Sequence, residues 1–147
     1  MKLSHGGFMK QLLFSLLILG VMNSASAATP IDTIDADYSK CMDSAESTVG
    51  YNNCISSAYK AADAELNKVY KAIKSQYSTQ KDADSKEIVK RLVASERAWI
   101  KFRDANCELA GIQMLGGTGE GPMVGGCLVS TTIDRVHELQ SIFSSEN

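Results

Sequence analysis

The 147-residue chain has 15 lysines and arginines against 17 aspartates and glutamates, a formal net charge of -2, and 44% of its residues are hydrophobic. This mild acidity argues against nucleic-acid binding, which depends on a basic patch to neutralise phosphates. The length suits one domain with a modest core and not two.

The first element is a leader. MKLSHGGFMK has two lysines and no acid, QLLFSLLILGVM is an apolar run, and the small residues Ala25-Ser26-Ala27 follow. That order reads as a secretory signal peptide over residues 1–27, cleaved after Ala27. The apolar run is shorter than the ~20 residues of a membrane span, so no membrane insertion is expected after cleavage. The expected mature chain, 28–147, is one exported helical domain, periplasmic or secreted. It loses both leader lysines and keeps 13 bases against 17 acids, a net charge of -4.

In an exported domain the four cysteines, Cys41, Cys54, Cys107 and Cys127, read as two disulfides. Three pairings are open, and proximity favours Cys41 with Cys54 and Cys107 with Cys127. The chain has no C-x-x-C, which argues against a thioredoxin-like role.

A short helix is expected over IDADYSKCMDSAE, with Asp35 or Asp37 near its start and a turn at Gly50. Over 52–77, Ile55, Tyr59, Ala62, Leu66, Val69, Ile73 and Tyr77 recur at three- and four-residue spacing, the stripe of a long amphipathic helix capped by Asn52 or Asn53. The polar segment STQKDADSKE, 78–87, reads as a connection. A second long helix, capped by Asp84 or Ser85, is expected to run to about Ala110. Within it ERAWIKFRDANCE gathers aromatic, acidic and basic side chains, and Glu96, Trp99, Ile100, Arg103 and Cys107 share a face. Trp99, Ile100 and Phe102 are expected to anchor the core, and Arg103 and Glu96 to organise the helix crossing, since guanidinium stays charged and offers five donors.

GIQMLGGTGEGPMVGGC, 111–127, has seven glycines, two methionines and a proline. With glycine costing ~1 kcal/mol per helical position, it is expected to be a loop tied at its base by a disulfide. Gly116, Gly117, Thr118 and Glu120 are its candidate partner-binding residues, since function concentrates on loops held by rigid supports. No phosphate-loop motif is present. The last helix is expected over 130–143, capped by Thr131 or Thr132, with Ile133, Val136, Leu139 and Phe143 inward and Arg135 reaching carboxylates of the preceding helix.

Chemistry is sparse. His137 is the sole histidine outside the leader, no G-x-S-x-G elbow is present, and Cys/His metal or haem motifs are lacking. The acids Glu96 and Asp104 stand ~80° apart around a helix at ~100° per residue. No catalytic residue, cofactor or metal is therefore expected. The fold class is all-α: a small disulfide-stapled bundle of three to four helices with a Gly-rich loop before the last.

Cys54 through LNKVYK, then ERAWIKFRDANC, Gly116-Gly117-Thr118, Cys127 and TTIDR together resemble the lysozyme inhibitor LprI-like family of exported bacterial proteins. The resemblance spans about residues 41–140, with Glu96 where many relatives have glutamine. It implies an exported binding protein and not an enzyme, an inhibitor of lysozyme-type peptidoglycan hydrolases with a protein partner such as lysozyme. The alternative is a periplasmic immunity or adaptor protein that binds another envelope enzyme or toxin.

Overall fold

A computed structural model describes residues 28–144. Residues 1–27, read above as the leader, lie outside them. Four helices follow one another: α1 (Pro30–Ser44), α2 (Thr48–Ser78), α3 (Ala83–Ala110) and α4 (Glu120–Ser144), with a short 3-10 turn, Gly111–Met114, between the last two. Among the described residues there is no strand, and no helix is long and apolar enough to cross a membrane. The architecture is the expected all-α bundle.

Helix starts are set by side-chain caps that the hydrophobic periodicity does not reveal. The Thr29 hydroxyl accepts from the Asp32 backbone N–H, and the Asp32 carboxylate accepts from the Thr29 backbone N–H at 2.8 Å. This capping box opens α1 at Pro30, ahead of the expected Asp35 or Asp37. The Thr29 hydroxyl and N–H, both donating to Asp32, hold its carboxyl below the ordinary aspartate value. Ser47, not Asn52 or Asn53, caps α2 through the Gly50 N–H, which places Gly50 inside the first turn. Asp82 caps α3 by accepting from the Ser85 N–H at 2.8 Å, and the expected ten-residue connection shrinks to residues 79–82.

α4 packs chiefly on α2 and also meets α3 and α1. The core joins Ile31 of α1, Ile55, Ala62, Leu66, Ile73 and Tyr77 of α2, Leu92 of α3, and Val129, Ile133, Val136 and Leu139 of α4. The α2 stripe thus faces inward as its spacing requires, with Tyr59 and Val69 packed at its edge. Disulfides join Cys41 to Cys54 and Cys107 to Cys127. Each ties a helix to the next in the chain, the pairing that proximity favours.

The largest difference from expectation lies at the start of α4. Residues 120–129 are helical in spite of three glycines, because backbone proximity outweighs propensity there, and Pro122 falls in the first turn, where a proline is tolerated. A Cβ added at Gly125 would lie 2.6 Å from Ile55 Cγ2, so a bare backbone is what lets α4 approach α2. A branched side chain on a helix is confined to one rotamer and cannot swing aside. Gly125→Ala is therefore expected to lower stability by about 1 kcal/mol, overpacking exceeding the helix-propensity gain of alanine. A urea titration checks this, and a midpoint at or above the wild type would contradict it.

α3 also departs from expectation. Its buried residues are Ser85, Leu92, Glu96, Arg103 and Cys107, a line with only one large aliphatic side chain. Phe102 is not a core anchor: it is 60% exposed, and Ile100 is 41% exposed. At ~100° per residue Phe102 points well away from the inward line through Arg103. Trp99 is half-buried at the edge of the core. The attachment of α3 to the bundle is correspondingly mixed: Leu92 with half-buried Ile88, Val89 and Trp99 packs on the core, and polar and covalent links complete it.

Candidate functional site

The polar part of that attachment centres on Arg135. Its side chain is 4% exposed, and its Nε donates to Glu96 Oε2 at 3.1 Å. Nη2 donates to Ser95 Oγ and Nη1 to Glu138 Oε2, each at 2.8 Å. The reach from Arg135 to the preceding helix expected from sequence is present. Glu96 and Arg103 do not pair: Arg103 Nη2 instead bonds Asp104 Oδ1 at 2.8 Å. The Arg103 guanidinium carbon lies 5.0 Å from the Trp99 ring centre and 5.7 Å from that of Tyr59, and the Arg135 guanidinium carbon lies 5.7 Å from Trp99. Two guanidinium groups thus share one indole, each contact being worth roughly 0.5–2 kcal/mol. Beside this network a cleft of about 310 Å³ opens between α2 and α3, lined by Asp63, Asn67, Lys74 and Arg97 as well as Trp99 and Arg103.

Among the described residues all cysteines are oxidised, and no group of three or more histidines, cysteines or carboxylates is placed to hold a metal. His137 Nε2 lies 3.6 Å from Asp32 Oδ1, while the other oxygen of that carboxylate takes the Thr29 hydrogens. The pair links α4 to α1, and its carboxylate is committed to a helix cap.

The second feature is the tip fastened by Cys107–Cys127. α3 passes into the 3-10 turn, after which Gly117 N–H donates to Met114 O at 2.8 Å and Glu120 N–H to Gly117 O at 3.2 Å. Gly116 has φ 73°, the left-handed region that a side chain disfavours. Its N–H donates to Glu120 Oε2 at 2.7 Å. Glu120, expected from sequence to project toward a partner, folds back on its own loop and sets the loop's shape. Thr118 is exposed at the turn.

What the tip presents is apolar. Leu109, Ile112, Met114 and Leu115 are 64%, 58%, 51% and 72% exposed, and Met123 is 38% exposed. Phe102 stands seven residues before Leu109, so both lie on the same outer face of α3 and lead into the tip. The sequence reading singled out the glycines and missed these aliphatic neighbours. The available signal was four large apolar residues, Ile112, Met114, Leu115 and Met123, in a segment assigned to a loop.

The family model described as "Lysozyme inhibitor LprI" matches residues 40–139, a span that includes both disulfides, the Trp99–Arg103–Arg135 cluster and the tip. A protein of Rhizobium meliloti (strain 1021), described as uncharacterized, is 39% identical over 107 residues, covering 69% of this chain and 77% of that protein. No solved structure matches the chain.

Proposed function

The chain belongs to the lysozyme inhibitor LprI family, and from that premise we propose that it is an exported binding protein that inhibits lysozyme-type peptidoglycan hydrolases. The leader motif over residues 1–27 and two disulfides support placement in the periplasm or outside the cell, where thiols are oxidised. The observation behind binding in place of catalysis is the tip: large apolar side chains held out on a short, cross-linked turn, the form in which a rigid bundle presents a recognition element. Glu96, Trp99 and Arg103 serve the architecture, and the function lies at the end of the bundle that they stiffen.

The test is a cell-wall lysis assay in which the oxidised protein is titrated against lysozymes of several classes, with the reduced protein in parallel. Saturable inhibition by the oxidised form, weakened on reduction, is expected. Absence of inhibition across all classes would sink the hydrolase reading and favour an immunity or adaptor role toward another envelope protein.

A further inference from the structure

Charge is unevenly distributed along the bundle. No lysine, arginine or histidine occurs between Lys40 and Lys60, or between Arg103 and Arg135. These two segments lie at one end of the molecule, because Gly125 abuts Ile55, Gly126 lies against the Tyr38 hydroxyl and Arg103 stacks on Tyr59. The carboxylates of these segments are Asp43, Glu46, Asp104, Glu108, Glu120 and Asp134, all but Glu120 exposed, with Asp134 further along α4. Asp104 neutralises the boundary residue Arg103. At the opposite end, Lys68 to Arg97 include eight bases. The apolar tip is therefore flanked by acids, and Lys40 and Lys101 are the first exposed bases beyond them on α1 and α3.

We propose that this end is a docking surface for a basic protein, in which Leu109, Ile112, Met114 and Leu115 enter an apolar-lined cleft while Glu46 and Glu108 face basic residues around its mouth. This rests on the hydrolase-inhibitor reading and names the surface that acts in it. A predominantly acidic rim speeds encounter with a cationic partner and opposes pairing of two copies through the same face. The buried apolar centre supplies the lasting contact, as in interfaces where a few desolvated anchors dominate. Glu120 positions the loop through Gly116 and does not itself touch the partner.

The decisive experiment measures binding and inhibition of two basic lysozymes from different classes, with cytochrome c as a basic protein that has no sugar-binding cleft. The proteins compared are the oxidised wild type, an Ile112→Ser/Leu115→Ser variant, a Glu46→Lys/Glu108→Lys variant and a Lys74→Glu/Arg97→Glu variant of the α2–α3 cleft. Circular dichroism verifies that each is folded. At least tenfold weaker lysozyme binding is expected for the serine variant, the scale of losing central interface anchors. Slower association with a flatter salt dependence is expected for the charge-reversed rim, and unchanged binding for the cleft variant. If the serine variant inhibits like the wild type, the surface assignment fails while the hydrolase reading stands. Loss of binding confined to the cleft variant, or equal binding of cytochrome c, would also overturn it. A wild type that binds neither lysozyme defeats both proposals, and a dimer abolished by the serine substitutions would make a second copy the occupant.

Discussion

Replacing Arg135 with methionine while Glu96 remains is expected to destabilise the protein by about 3–5 kcal/mol, the scale on which a buried ion loses its partner. Glu96 is 8% exposed, so water cannot readily replace the guanidinium. The same substitution strips Ser95 Oγ and Trp99 of their contacts with Arg135. The attraction within the pair is not the source of this cost, since burying two charges offsets most of what they gain from each other. It follows that Arg135→Met combined with Glu96→Leu should be less damaging than Arg135→Met alone. A double-mutant cycle by urea denaturation separates the cases. Additive losses would show that Glu96 and Arg135 contribute independently, contrary to their geometry.

Removal of the Cys107–Cys127 bridge by paired serine substitutions is expected to cost ~3.3 kcal/mol in the chain-entropy description and the Cys41–Cys54 bridge ~2.9 kcal/mol, given separations of 20 and 13 residues. On stability the two are nearly equivalent, but their functional consequences should differ. Only the first fastens the 3-10 turn and the exposed tip to the bundle, so only its loss should abolish inhibition under conditions where the protein remains folded. Thermal melts followed by lysis assays at a temperature below both transitions distinguish them. Equal inhibition by the two cysteine-free pairs would place the partner-binding surface elsewhere.

The fold was largely legible because its main signal is periodic. The Ile55-to-Tyr77 stripe on α2 and the Ile133–Val136–Leu139 set on α4 each bury the face that their spacing defines. Three features were not legible, each for a physical reason. The caps Thr29, Ser47 and Asp82 depend on a single hydrogen bond, and several neighbouring Ser, Asp and Asn residues could have made it. The helical start of α4 depends on Ile55, seventy residues away in sequence, and local propensity contains no trace of that approach. Phe102 looked like a core residue because large aromatics usually are. Its exposure follows from α3 turning a polar line, Glu96 and Arg103, toward the bundle. The same failure hid the tip, whose aliphatic residues lack periodicity and lie among glycines.

Both cross-links join neighbouring helices, and this sets how the chain can assemble. Neither bridge requires partners that are distant in sequence, so each loop closes at small entropic cost and early. Under the proposed export, translocation from the N-terminal side would bring Cys54 across while Cys107 is still more than fifty residues behind. The first helical hairpin can therefore oxidise before any competing thiol arrives, and the second pair then meets only itself. On that route, order of arrival would reduce the three possible pairings to the one observed.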